Sequence, residues 1–450
     1  MKRALALLVI GLLGVLAWTA PSPPPPEAVA PMTTTTVPEL ETAAGFSSCP
    51  WAVASDDEET YFGLVTLPPN AVLLSFPLSG DVRATVEEAL PGPGATSVRL
   101  GQSLAQGLAP ATIEFSNAPA ASNALVTGPA RLAGTICPSS TPKVWHLPGG
   151  STEAGNQLIL QLYNPFSEDA NVTVTAYSDL GPEPAPELEA LRVSARSWRS
   201  FDLHNEFPAR EMLGMVVEAS QGNVVPALIM DVEAAGEAIW PGLGQAEIWE
   251  LPVVRIGGLQ SEVIVANDGT DPVTYEVDLI SEEGTEFAVA TRSVDPLTQD
   301  RVPLVDLAEG TFGVRVRADG PVAVLARARG QKGFAVVPGA AVAAPQWLLP
   351  GFGTHPDASY QAWIINPDAS SLTVTLSTVS ASGPGAAPDK VAVPAEAIRS
   401  VTVDRLQMFG LLAEAPGPFS IAWSAELPDG GVAFVEAVPV LTRSPAGSQP

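Results

Sequence analysis

Apolar and polar residues alternate with a period of two in short runs along most of this chain, and the same runs return about every hundred residues. Val172, Val174 and Ala176 mark one face of such a run. Val273, Tyr275, Val277 and Leu279 do so in a second copy, and Leu372, Val374 and Leu376 in a third. A period of two places one face in a core and the other in solvent, which predicts β-strands. Each alternating run follows a more uniformly apolar run that ends in Asn: Leu158 to Asn164, Val263 to Asn267 and Trp363 to Asn366. The residues between them are Asn164-Pro165, Asn267-Asp268-Gly269 and Asn366-Pro367. Asn caps its own backbone, Gly accepts positive φ and Pro fixes φ, so each copy is expected to carry a β-hairpin here.

Other landmarks keep the same phase. Trp-x-Leu-Pro occurs at Trp145, Trp249 and Trp347, in steps of 104 and 98 residues, and the asparagines lie 19, 18 and 19 residues beyond. Arg199, Arg301 and Arg399 follow 54, 52 and 52 residues after the tryptophans. A last hairpin is expected to close each unit, pairing Met215 to Ala219 with Val224 to Met230, Phe312 to Arg317 with Val322 to Ala328, and Phe419 to Ala425 with Val432 to Val438. Its turns would be Gly222, Asp319-Gly320 and Asp429-Gly430-Gly431. Six or seven strands in about 100 residues is the pattern of an immunoglobulin- or fibronectin-like β-sandwich. A propeller blade would repeat at about 40 to 50 residues. The fold class read from the chain is therefore all-β, a tandem array of four such sandwiches: 45–142, diverged, then 143–246, 247–344 and 345–444, with 445–450 as a disordered tail.

The first unit lacks the repeated tetrapeptide, although Cys49-Pro50-Trp51 stands in a similar place. The only cysteines, Cys49 and Cys137, bracket it. In an exported chain such a pair reads as a disulfide closing a long loop; two buried thiols or half a metal site are the competing readings.

Export rests on Lys2 and Arg3 preceding the apolar stretch Ala4 to Ala20, the layout of a signal peptide or signal-anchor (1–20). Both candidate cleavage points are followed by proline, Pro21 and Pro31, which favours retention as an anchor with the basic residues inside. Seventeen helical residues span roughly 25 Å, near the lower limit for crossing a membrane. Residues 21–44, with Pro23 to Pro26 and Thr33 to Thr36, read as an extended disordered linker. With 49 acidic residues against 22 basic ones, the net charge of −27 argues against nucleic acid or anionic lipid as a partner of the body.

The chain offers little catalytic chemistry. His146, His204 and His355 are the only histidines, they stand apart, and Glu250 and Leu348 occupy the place of His146 in the other copies. A triad or zinc site needs convergent partners. Asp56-Asp57-Glu58-Glu59 reads as a solvated charge run rather than a calcium loop. The sequon Asn171-Val172-Thr173 lies on the exposed side of a strand. The repeated tryptophans read as packing residues, and Trp198, flanked by Arg196 and Arg199, is the first candidate for an exposed ligand platform. No cofactor or metal is expected.

The apolar N-terminus, the Pro/Thr stalk, Cys49-Pro50 and the repeated Trp-x-Leu-Pro with strand-Asn-Pro-strand resemble a family of secreted or membrane-anchored actinobacterial proteins catalogued only as a domain of unknown function. The second copy departs from the pattern, with Val253-Val254 where the others have Gly149-Gly150 and Gly351. That resemblance implies an envelope location and no catalytic residues. Two functions are carried forward. One is an extracytoplasmic, membrane-anchored structural or interaction array, not an enzyme, whose partner is an envelope protein or cell-wall glycan. The other is a glycan-binding module accessory to envelope polysaccharide assembly. Short joints and like-charged surfaces lead to the expectation of an elongated string of units.

Overall fold

In the computed structural model, each hundred-residue stretch folds into two antiparallel sheets. The described residues are 46–440 apart from 55–58, 67–71, 80–81, 91–93, 101–106, 116–119, 129–130, 234, 257–259, 306–309, 331–332, 352–356, 381–382, 385–387, 404–409 and 429. The expected signal segment, linker and tail, the acidic run at 56–58 and His355 lie outside them. Among the described residues, no helix is long and apolar enough to cross a membrane.

The second unit shows the plan. One sheet orders Gly181–Glu183, Ala170–Ser178, Leu213–Gln221 and the Trp-bearing strand Val144–Gly150. The other orders Ser197–Asp202, Asn156–Asn164, Val225–Val232 and Gly236–Pro241. Leu158, Leu160 and Leu162 from one sheet and Val172, Val174 and Ala176 from the other are buried together between them. The all-β sandwich reading is therefore correct, but two of its hairpins are not hairpins.

Asn156–Asn164 and Ala170–Ser178 pair with other strands and never with each other. The turn between them is an arch that carries the chain from one sheet to the other. Its buried asparagine holds the arch shut: Asn164 Nδ2 donates to Glu168 O (2.7 Å) and Val193 O (3.1 Å), while Oδ1 accepts from Phe166 N (3.0 Å). Asn267 and Asn366 repeat this pattern. Hairpin and arch demand the same turn residues, so local chemistry could not separate them.

The closing hairpin is corrected for a related reason. In the second and third units its two strands also belong to different sheets. In the third unit they form one bent strand, Gly310–Arg329, whose first half pairs with Val273–Ile280 and whose second half pairs with Gln260–Asn267. Gly410–Glu426 bends between sheets in the same way in the fourth unit, but there the expected closing strands do form a hairpin, Ala422 to Glu426 pairing with Val432–Glu436, while in the second unit the run is interrupted at Gly222, where φ is +65°. Asp319-Gly320 and Gly222 therefore mark a bend between sheets.

The first unit is the same structure in degraded form. The Trp-bearing strands of the second and third units each make a bulge in which Pro and its successor face no partner residue. The register skips between Leu147 and Gly150 opposite Met215 and Leu213, and between Leu251 and Val254 opposite Val314 and Phe312. In the first unit it skips between Cys49 and Ala52 opposite Ala111 and Ala109. Pro50 thus matches Pro148 and Pro252, and the tryptophan position falls on Ser47, not Trp51.

The expected string of separated units is overturned. The described residues belong to one compact body in which four equivalent strands, Arg131–Ile136, Gly236–Pro241, Phe334–Pro338 and Val432–Glu436, form a closed cycle. The first packs against the second and fourth, and the third packs against the same two. Net charge misled because it counts ions without their positions. The sheet faces that meet carry apolar clusters and matched ion pairs, whose local gain exceeds the diffuse, screened repulsion of the acidic exterior.

Candidate functional site

The residues that repeat along the chain converge on the interior of each unit and on the seams between units. Trp145, Trp249 and Trp347 are 3%, 2% and 1% exposed. Each indole Nε1 donates to a carbonyl in the bend between sheets: Val224 O at 3.0 Å, Val322 O at 2.8 Å and Phe419 O at 2.7 Å. An indole needs an acceptor when buried, so the tryptophan both fills the end of the sandwich and fixes the bend. The packing reading of these residues agrees with this geometry.

Behind each tryptophan the Pro-x bulge reaches into the following unit. Gly149 N donates to Gln299 Oε1 (3.1 Å) and Gly149 O accepts from Arg327 Nη1 (2.7 Å), with Arg327 itself held by Glu262 through Nε at 2.8 Å. In the fourth unit Pro350 O accepts from Asn123 Nδ2 (3.2 Å), and Gly351 lies so close to Gly63 that a Cβ at Gly63 would overlap its carbonyl. Fourth therefore docks on first. The departure at Val253-Val254 also has a cause: both are fully buried in an apolar cluster that continues into Trp363, Ala422 and Phe434 of the fourth unit.

Two of the three repeated arginines cross seams. Arg301 of the third unit pairs with Glu211 of the second, and Arg399 Nη1 of the fourth lies 2.9 Å from Glu282 Oε2 of the third. Arg199 instead stacks over Phe201, 4.8 Å from the ring centroid. The sequence marked these positions by phase, but their partners sit outside the unit and no local pattern announces them. A further shared feature had no sequence signal. Arg196, Leu297 and Glu396 all take φ near +50° in equivalent turns although none is glycine.

His146 is buried at a seam, with Nδ1 3.0 Å from Asp268 Oδ2 in the next unit. His204 lies in a one-turn helix capped by Asp202. The structure brings neither together with a nucleophile. Among the described residues no cluster of three metal-ligating side chains occurs. Asn171 and Thr173 are exposed as expected, Asn171 Nδ2 donating to Gln221 Oε1 at 2.9 Å.

Trp198 is half-buried, opposite Tyr163 in its sheet. A shallow depression of about 680 Å³ on the fourth unit is lined by Gln346, Thr373, Thr375, Lys390 and Glu414 and has no aromatic side chain, so it lacks the ring platform that sugar stacking uses.

Cys49 and Cys137 are bonded to each other, with Cα atoms 4.3 Å apart. Ser47 Oγ donates to Cys137 O (3.0 Å), so in this unit the bridge and a hydroxyl tie the strand that carries the tryptophan position to the end of the last strand, Arg131–Ile136. In the native protein isolated without reductant neither cysteine should be alkylated. A mass shift of two adducts on the unreduced chain would contradict the bridge.

Glu436 ends the last strand of the central cycle. Its Oε1 is sealed from solvent without a hydrogen-bond partner, and burial pushes its carboxyl well above the usual range. The unfolded chain ionises at the ordinary value, roughly 4.3, while the folded chain keeps its proton. Stability is therefore intact below that value and falls as pH rises from it toward the folded pKa. Glu436→Gln, neutral throughout, should raise the melting temperature relative to the parent by an amount that grows between pH 4 and 7. A gain independent of pH would refute this account.

A family model described as a family of unknown function (DUF5719) matches residues 108–346, more than half of the chain. The chain belongs to that family. The DUF5719 match starts in the last strands of the first unit, spans the second and third, and ends at the residue before Trp347. It therefore includes both sides of the seam between the second and third units. No curated protein matches the chain.

Proposed function

We propose that this protein is an extracytoplasmic scaffold, held at or released from the membrane through residues 1–20, that presents a rigid block of four sandwiches to an envelope protein or cell-wall glycan and carries out no catalysis. The observation that carries this reading is the use made of the recurrent chemistry. Trp145, Trp249 and Trp347 are spent on packing, and His146, Glu250, Arg301 and Arg399 are spent on joints between units. Groups committed to holding a body together are not arranged about a cleft. The apolar segment at Ala4 to Ala20, the proline-rich stretch after it and the resemblance to actinobacterial envelope proteins support the location. The glycan-binding alternative relied on exposed repeated tryptophans and loses its main support once their rings are buried.

Fractionation of the native host tests the proposal. The protein is expected in the membrane or secreted fraction, accessible to added protease in intact cells, with envelope components co-purifying after mild crosslinking; deletion of residues 1–20 should leave it in the cytosol. Recovery of the full-length chain from the cytosol with two free thiols would overturn it.

A further inference from the structure

The residue that follows each repeated tryptophan differs from copy to copy, as His146, Glu250 and Leu348, and this variation has a structural use. All three side chains point outward from the Trp-bearing sheet, away from their own core, yet they are 6%, 5% and 1% exposed because another unit covers them. His146 faces Asp268 of the third unit, which is held from the other side by Gln245. Glu250 receives Arg315 Nη2 at 2.8 Å from the neighbouring strand and turns its other oxygen to Ser420 Oγ of the fourth unit. Leu348 joins Val379 and Leu412 in an apolar cluster with Val65 and Ala121 of the first unit.

We propose that this residue, with the Pro-x bulge behind it, is the recognition element by which each unit selects its neighbour, and that the mismatch among imidazole, carboxylate and isobutyl groups imposes a single closed order on four similar units. The partner of each surface is thus another unit of the same chain, and the fourth unit's partner is the first. Apolar burial alone is non-directional and cannot choose among three sheets of like shape. A wrong choice is costly here: placing Glu250 and Arg315 against Val65 would leave a buried carboxylate without its hydroxyl partner, and placing Leu348 on the third unit would set methyl groups against Asp268 in place of an imidazole. A buried ion pair of this kind adds little stability over an apolar pair of the same size, and fixing register is its best-attested use.

The bulge follows the same logic. Gln299 and Arg327 take both polar groups of Gly149, and Asn123 takes Pro350 O. The third unit, which offers Val253 instead of glycine, meets an apolar surface. The joint between fourth and first units differs in one respect. Its partners lie at opposite ends of the folded array and no short linker holds them together, so it depends on recognition alone.

The test uses the full-length secreted chain and two kinds of variant, read by solution scattering, by size-exclusion chromatography over a concentration range and by amide exchange. Leu348→Glu should open the fourth-to-first joint alone. The radius of gyration should rise above the compact value of about 22 Å, and amide protection should fall in 60–66 and 120–127 while 144–241 stays protected. Should that variant fail to fold, Gly63→Val makes the same test from the other side, because valine suits a strand and a Cβ there meets the carbonyl of Gly351 and Oδ1 of Asn123, the side chain that holds Pro350 O. The triple variant Glu250→Leu, Arg315→Met, Ser420→Ala turns the polar joint apolar. It should fold with undiminished melting temperature but form oligomers that grow with concentration, because its third unit now offers the surface that the first unit of another copy accepts. Unchanged scattering for the opening variant, or a strictly monomeric triple variant with the parent profile, would overturn the proposal.

Discussion

Trp347→Ala should lower the stability of the fourth unit by about 3 to 5 kcal/mol, the range for removing a large buried aromatic ring. The ring is 1% exposed, its centroid stands 6.4 Å from that of Phe419, and its Nε1 donates to both Ala344 O (2.9 Å) and Phe419 O (2.7 Å). Alanine would leave a cavity and two carbonyls with fewer donors at the point where Gly410–Glu426 passes from one sheet to the other. Because the fourth unit also closes the cycle on the first, the loss should propagate. Amide protection in 60–66 and 120–127 is expected to weaken along with that in 344–440. Chemical denaturation with exchange read-out measures both, and a change below 1 kcal/mol would mean that the indole does not hold the bend.

Asn267→Ala has the second largest expected effect, about 3 kcal/mol or more, although the substitution removes only a few atoms. Asn267 is fully buried and satisfies three backbone groups: Asp271 O at 2.8 Å, Val294 O at 3.1 Å and Gly269 N at 2.9 Å. Each buried group left unsatisfied costs about 1–3 kcal/mol, and the losses will not be fully additive because the arch can relax. The substitution also separates two structural accounts of the same turn. An asparagine at the exposed corner of a hairpin would tolerate Gly or Ala with little change in thermal denaturation, whereas the arch cannot replace its donor. A melting temperature within a degree or two of the parent would return the turn to the hairpin reading.

What could be read along the chain was whatever depends on near neighbours. Alternation at Val172, Val174 and Ala176 determined strands, because the faces of a strand are set by the backbone itself. The phase of Trp145, Trp249 and Trp347 determined the number of repeats and the buried state of those rings. The placement of Cys49 and Cys137 at the two ends of one unit determined their pairing in the structure. Cys49-Pro50-Trp51 reads as standing in the place of the repeated tetrapeptide, but that Ser47 holds the tryptophan position is a feature of register, visible only in the ladder with Gly107–Phe115.

Everything that concerns which strand lies beside which was decided by the tertiary structure. Asn164-Pro165 is compatible with a hairpin or an arch, and Asp319-Gly320 with a turn or a bend inside one long strand; the choice follows from which sheet buries the flanking apolar faces. The seam residues were legible only as recurrences. Arg301 and Arg399 kept phase, and His146, Glu250 and Leu348 varied, for reasons that lie in Glu211, Glu282, Asp268, Ser420 and Val65 on other units. Local sequence therefore determined the strands and the repeat, because backbone periodicity and turn chemistry act over a few residues. Closure of the four units was left to the folded structure, because complementarity between distant surfaces is a property of pairs of positions that no single stretch of chain contains.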